Sequence, residues 1–334
     1  MTARATIFGP EGLELTPWEQ AFFRDSDPWG FILFKRNLDT PDQIRKLTTQ
    51  LREAVGRNAP ILIDQEGGRV ARLEPPHWQG WSPALHYADG HPDRARAFWL
   101  RSRIMAAELL ALGIDVNCAP LADIATPQTH PFLKNRCYGT SVDTVTEMGR
   151  AVADGLLAGG VAPILKHIPG HGRAAGDSHL SLPRVDVSAE TLRDVDFAPF
   201  RALNDLPMAM TAHLVYDAFD ADRCATLSPT MIGLIRDEIG FDGLLMTDDL
   251  SMHALGGPFA ARVAGSLDAG CDMILHCNAD RAEMLEIAEA TPRLAGDAAR
   301  RADAAAAARA TPQPFDFATA LAEVTALMEV RDAG

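Results

Sequence analysis

Residues 163 to 183 read Pro-Ile-Leu-Lys-His-Ile-Pro-Gly-His-Gly-Arg-Ala-Ala-Gly-Asp-Ser-His-Leu-Ser-Leu-Pro. Ile164 and Leu165 are the end of a buried strand, and the chain then breaks into a polar loop. Lys166, His167, His171, Asp177 and His179 follow in quick succession, on backbone that Pro169, Gly170, Gly172 and Gly176 keep from becoming helical. A strand tip feeding a loop dense in titratable groups is where active sites are commonly built.

The same arrangement recurs on both sides of this stretch. Gly30–Phe34 leads to Lys35-Arg-Asn37, Pro60–Ile63 to Asp64-Gln-Glu-Gly-Gly-Arg69, and Ile114–Ala119 to Pro120-Leu-Ala-Asp123. Further on, Pro207–Thr211 ends at Ala212-His213, Gly243–Met246 at Thr247-Asp-Asp249, and Asp272–Leu275 at His276-Cys277. Helical patterns lie between them. One starts at Thr40-Pro41-Asp42 and runs through Val55, with proline in the first turn. Others cover 94–112, with Gly113 as a cap, 228–239, 259–269 and 281–290.

Seven apolar runs alternating with helices predict a parallel sheet covered on both faces. The α/β fold is read as a (β/α)₈ TIM-type barrel, because Asp, His, Lys and Arg collect at the carboxyl ends of the strands. Rhythm alone leaves a doubly wound open sheet as the alternative. The chain carries no Gly-x-Gly-x-x-Gly and no phosphate loop. No linker composition divides it, so residues 1–334 are read as a single domain. A C-terminal helical extension begins at about 295, breaks at Thr311-Pro-Gln-Pro-Phe315 and ends near Val330.

The 334 residues suffice for one large barrel or two ordinary domains, and the 47% hydrophobic content supplies a sizeable core. A formal charge of −14 without a basic cluster argues against nucleic acid and for small or neutral ligands. Met1–Gly9 lacks a secretion-signal layout and no apolar run is long enough to cross a membrane, which predicts a cytoplasmic protein. Cys118, Cys137, Cys224, Cys271 and Cys277 are scattered and odd in number, as expected of reduced thiols rather than disulfides or a structural zinc site.

Three constellations carry the chemistry: Asp64 with Arg69 and Arg72, then Arg136, then the opening loop together with Asp248. A carboxylate at a strand tip can hold a pair of sugar hydroxyls, and a guanidinium donates several hydrogen bonds in a fixed fork. Asp177 and His179 are two apart, so in an extended segment the carboxylate reaches the imidazole and orients a proton shuttle. Asp248 can supply the nucleophilic carboxylate that a retaining glycosidase needs. Each residue also has a plainer reading. Asp64 can cap a helix, His213 and His276 can be packing residues, Arg69 and Arg72 surface ion pairs, and Asp248-Asp249 a helix start. Their gathering at one end of different strands favours chemistry. Two rival functions are a metal-dependent hydrolase holding zinc with His167, His171 and His179, and a non-catalytic sugar-binding protein. The Pro-Gly break denies the first the helical i, i+4 histidine pair.

Five groups of residues give the chain a wider likeness. They are Asp64-Gln-Glu-Gly-Gly-Arg-Val-Ala-Arg72, Asp115-Val-Asn-Cys-Ala-Pro120, Asn135-Arg136, Lys166-His-Ile-Pro-Gly-His-Gly172 with Asp177-Ser-His179, and Thr247-Asp-Asp-Leu-Ser-Met252. With them the chain resembles the family three glycoside hydrolases, and within these the bacterial β-N-acetylglucosaminidases of the cell-wall recycling type. The resemblance implies a (β/α)₈ barrel in its short single-domain form, no cofactor, and no metal. It implies Asp248 as nucleophile with Asp249 in support, His179 as acid/base with Asp177 as its partner, and sugar contacts from Asp64, Arg72, Arg136, Lys166 and His167. It further implies a muropeptide substrate, N-acetylglucosamine linked to anhydro-N-acetylmuramic acid, met in the cytoplasm during peptidoglycan recycling by a monomer. A phosphorylase that replaces water with phosphate is a variant of the same chemistry.

Ile168, Cys137-Tyr138 and Thr247 stand where the family more often has phenylalanine, Ser-Phe and serine. The glycine- and alanine-rich segment 170–176 predicts a loop that carries His179 over bound sugar. His171 has no expected role beyond shaping the turn.

Overall fold

Arg4–Phe8 forms a strand that the apolar-run reading passes over, and this strand closes the sheet. A computed structural model describes residues 2–88, 92–174, 182–252 and 255–329. Its strands are β1 (Arg4–Phe8), β2 (Pro28–Leu33), β3 (Ile61–Ile63), β4 (Val116–Asn117), β5 (Ala162–Ile168), β6 (Arg184–Val185), β7 (Met208–Thr211), β8 (Val215–Tyr216), β9 (Asp220–Cys224), β10 (Leu244–Asp249) and β11 (Met273–His276). Eight of them make a closed barrel in the order β1-β11-β10-β7-β5-β4-β3-β2, all neighbours parallel. The other three, β6-β8-β9, form a small side sheet. The chain therefore has the (β/α)₈ fold, and the open-sheet alternative falls.

Seven of the barrel strands match the apolar runs. β1 escapes because Arg-Ala-Thr-Ile-Phe opens on a charge and has Thr6 at its centre, so its burial on both sides is invisible until its neighbours are known. Thr6 pairs with Ile274 and Ile7 with Gly30, which joins the beginning of the barrel to its end. β4 is shorter than the predicted 114–119. Asp115 turns its carboxylate to the Ile61 amide at 2.8 Å and to Arg52 and Arg309 at 3.0 and 2.7 Å, tying the strand's base sideways.

Side chains alternate between two cores. Ile7, Ile32, Leu62, Val116, Ile164, Met246 and Leu275 fill the barrel interior. Phe8, Phe31, Leu33, Ile61 and Ile63 belong to the layer between sheet and helices. Both sets are buried, which is why the strands read as unbroken apolar runs rather than alternating ones. The helix Gly296–Ala307 adds Ala302 and Ala305 to the interior cluster, and its Arg301 reaches Asp272 just before β11, so it floors the amino-terminal end of the barrel.

Helices begin where short polar side chains cap them. Thr16, Thr40, Ser141 and Ser228 each accept the amide three residues on, and proline follows three of them in the first turn. Pro41–Val55, Phe259–Ala269 and Arg281–Ala290 match their expected spans. Arg94–Leu110 packs on Val142–Ala158 at a close crossing, since a Cβ on Gly155 would lie 2.5 Å from the Trp99 carbonyl oxygen. Among the described residues no helix is long and apolar enough to cross a membrane.

Candidate active site

The carboxyl ends of β3, β5 and β10 deliver Asp64, Lys166 with His167, and Asp248 to one cavity at the top of the barrel. Arg72, Arg136 and His171 reach it from loops, and Ile32, Phe34, Met210, Met252 and Leu275 supply an apolar wall. Six of the eight expected site residues are thus brought together. The other two, Asp177 and His179, lie outside the described residues.

The loop after β3 is held by its own polar groups. Gln65 exchanges hydrogen bonds with Asn117 of β4 through its backbone, while its side-chain oxygen accepts the Arg72 and Leu73 amides at 2.8 and 3.0 Å. Gly67 has φ +91°, and a Cβ there would lie 1.8 Å from the Arg101 guanidinium, so the backbone must be bare where that buried arginine crosses to the Glu66 carbonyl. This fixes Asp64 and Arg72 on a rigid frame.

Along one wall, charges alternate. Arg72 Nη2 lies 3.2 Å from Asp64 Oδ2, Asp64 Oδ1 is 2.9 Å from Lys166 Nζ, and Lys166 Nζ is 2.7 Å from Glu66 Oε1. Glu66 in turn takes Arg136 in a two-point fork, both bonds 2.8 Å. Burial alone would neutralise Asp64, but the Lys166 ammonium and the Arg72 guanidinium outweigh it and hold the carboxyl well below the usual range. The same carboxylates hold Lys166 charged despite its burial. Such a fixed ionic wall suits hydroxyl groups, which it can meet with both donors and acceptors. The capping reading for Asp64 and the exposed ion-pair reading for Arg72 do not describe this geometry. Arg69 differs: it is exposed, and its guanidinium lies 4.4 Å over the Phe132 ring.

The Lys166–His167 peptide is cis, and both side chains line the cavity. Behind them stands Asp123, fully buried, with one oxygen 2.8 Å from His167 Nδ1 and the other accepting the His171 amide at 2.6 Å. Burial pushes the His171 imidazole down to about 4, helped by the neighbouring His167 ring 5.5 Å away and opposed by Asp123. His171 is neutral at pH 7. Among the described residues no group of three His, Cys, Asp or Glu side chains is placed to hold a metal ion.

Asp248 and Asp249 divide the opposite side. Asp249 accepts the Ser251 and Cys277 amides at 3.0 and 3.1 Å and the Ser251 hydroxyl at 2.6 Å, which consumes its carboxylate in the turn. Asp248 receives the Asp249 amide at 2.8 Å and faces the cavity. Burial works to raise its pKa, but His213, His167, that amide and Lys166 outweigh it, so the carboxylate stays ionised. His213 is a supporting residue. Its Nε2 lies 3.2 Å from the Asp249 carbonyl, which can only accept, so Nε2 carries the proton and Nδ1 accepts the Thr226 hydroxyl at 2.7 Å. His276 is buried against Phe8 and Phe259 with Nε2 2.8 Å from Glu283.

Glu66 and Asp123 were not singled out from the sequence. Both follow apolar runs, and Glu66 also stands inside the motif 64–72. Ile168, Cys137, Tyr138 and Thr247 are buried and do not line the cavity, so the departures from the family pattern lie behind it. The five thiols are free, and burial raises the pKa of all five, which favours their protonated form.

The chain has relatives among known proteins. Residues 20–306 match the glycosyl hydrolase family 3 N-terminal domain. A β-hexosaminidase from Alkalilimnicola ehrlichii is 38% identical over 286 residues, covering 81% of this chain and 80% of that protein. Another from Methylococcus capsulatus is 36% identical, covering 86% and 88%. Among solved structures, NagZ from Neisseria gonorrhoeae in complex with N-trifluoroacetyl-D-glucosamine superposes with a TM-score of 0.87 at 29% identity over 98% of both chains. With its closed barrel and ionic cavity at the carboxyl ends of the strands, the chain belongs to glycosyl hydrolase family 3 and is a glycoside hydrolase.

Proposed function

We propose that this chain is a retaining exo-β-N-acetylglucosaminidase that removes terminal β-linked N-acetylglucosamine. The observation that carries the reading is the ionised Asp248 at the tip of β10, facing the same cavity as the wall of Arg72, Asp64 and Lys166. The β-hexosaminidase relatives and the neighbour holding an N-acylated glucosamine support the choice of sugar.

In this mechanism Asp64, Arg72, Arg136, Lys166 and His167 hold the sugar. Asp248 attacks the anomeric carbon, the bond to the leaving oxygen breaks, and protonated His179 delivers its proton to that oxygen. Neutral His179, kept in orientation by Asp177, then takes a proton from water. The water attacks the anomeric carbon and Asp248 departs, so the sugar leaves with its β configuration. The family resemblance of the motifs extends the proposal to muropeptide fragments as substrate, in the cytoplasm, by a monomer, within peptidoglycan recycling.

The test is release of nitrophenol from the β-N-acetylglucosaminide beside the plain β-glucoside, with proton NMR of the first sugar formed. Preference for the acetamido sugar and initial β anomer are expected; an initial α anomer would remove the retaining mechanism. Inorganic phosphate should leave rate and product unchanged, whereas a sugar phosphate among the products would turn the second step into phosphorolysis. Release of N-acetylglucosamine from a purified disaccharide with anhydro-N-acetylmuramic acid tests the aglycone.

A further inference from the structure

We propose that Glu66 is a positioning residue whose carboxylate, one layer behind the cavity wall, sets how Lys166 and Arg136 are presented to the sugar. The inference rests on the reading that those two cations hold it. Glu66 itself does not line the cavity. Its Oε1 is shared: Lys166 Nζ lies at 2.7 Å and Arg136 Nη2 at 2.8 Å, while Arg136 Nε takes Oε2 at 2.8 Å. Two cations, one at the tip of β5 and one on a loop, are therefore located against one atom. The main chain that carries this carboxylate is itself held, because the Glu66 amide donates to the Val70 carbonyl at 2.9 Å and the Glu66 carbonyl accepts Arg101 at 2.6 Å.

The side chains are closed off, with exposures of 3% for Glu66, 2% for Lys166 and 8% for Arg136. Without the carboxylate, two like charges face each other away from water, with Asp64 as the nearest remaining acid on Lys166. Lys166 then follows Asp64, and Arg136 loses both arms of its fork. An amide at this position retains the shape but offers one acceptor oxygen where three bonds are now received.

The experiment compares Glu66→Gln with wild type, Lys166→Ala and Arg136→Ala on the nitrophenyl β-N-acetylglucosaminide, with free N-acetylglucosamine as competitive inhibitor. Glu66→Gln is expected to raise KM about tenfold or more and to weaken inhibition by the same factor, with kcat changed less than about threefold, the signature of lost uniform binding. A folded Glu66→Gln enzyme with wild-type KM and inhibition, beside Lys166→Ala and Arg136→Ala variants that lose binding, overturns the inference and leaves the reading of the site intact. Wild type without hydrolysis of this substrate overturns the reading itself. Should Glu66→Gln fail to fold, Glu66→Asp, which keeps the charge but shortens the reach, is read on the same scale; loss of the fold in both assigns Glu66 to the framework alone and overturns the proposal.

Discussion

Asp248 and Asp249 show how far neighbouring identical side chains can be separated by their partners. Three donors occupy the Asp249 carboxylate, while Asp248 keeps an oxygen for the cavity. Asp248→Asn is expected to lower kcat by about a thousandfold or more with an unchanged melting temperature, measured by steady-state kinetics beside a thermal melt. Asp249→Asn is expected to cost about 1–3 kcal/mol of stability through its lost turn bonds, read by urea unfolding. A second prediction concerns His171. Its folded pKa of about 4 lies below the ordinary 6.5, so between those values the unfolded chain holds more protons and stability falls as the pH drops. Between pH 7 and pH 5 the loss is roughly 2 kcal/mol, and a folded His171→Gln variant should lack that part of the slope in paired urea titrations. At this scale the sequence exposes residues that face the cavity, because charged groups at strand tips stand out. Glu66 and Asp123 were hard to read for the converse reason: their charge partners Lys166, Arg136 and His167 are distant in sequence, and only folding brings them within reach.

Elements were legible where local chemistry decides them. Thr40-Pro41 and Ser228-Pro229 announce helix starts by capping and by a proline whose missing amide costs nothing there, and both helices begin at those residues. The loop after β3 was legible by its charged residues but not in its shape. Its shape is set by Arg101, from a helix about thirty residues later, crossing the bare backbone of Gly67. Gly67→Ala should therefore displace Arg101 and the loop together. A loss of about 2 kcal/mol or more in urea unfolding, with a raised KM because Asp64 and Arg72 move, is the expected outcome. A rise in KM without loss of stability would show the loop to be adaptable.

The whole molecule is tied at the end of the barrel away from the cavity. Asp115, in a motif that the family resemblance picks out, points there, to the Ile61 amide, Arg52 and Arg309. It joins β3, β4, the helix Pro41–Val55 and the C-terminal segment. Asp115→Ala is expected to destabilise by about 3–5 kcal/mol, as removal of one partner from a buried ion pair does, while KM of any surviving folded enzyme stays at the wild-type value. Denaturant unfolding and kinetics on the same preparation check both halves. A sequence motif can thus mark a knot in the framework as readily as a catalytic group, and only position along the strand separates the two. The rhythm of strand and helix made the barrel legible, while its closure was not, because β1 is recognisable only by the strands it joins.

That closure has a consequence for how the molecule is made. Thr6 meets Ile274, so β1 waits until every other strand of the barrel has been made before both its edges are paired. Pairing between such remote segments is intrinsically slow and leaves strand edges open to other chains in the meantime. Limited proteolysis of stalled nascent chains should find the segment carrying Arg4–Phe8 cleavable until β11 has emerged, and protected afterwards. The charge-led strand that is hardest to read is then also the latch whose fastening completes the enzyme.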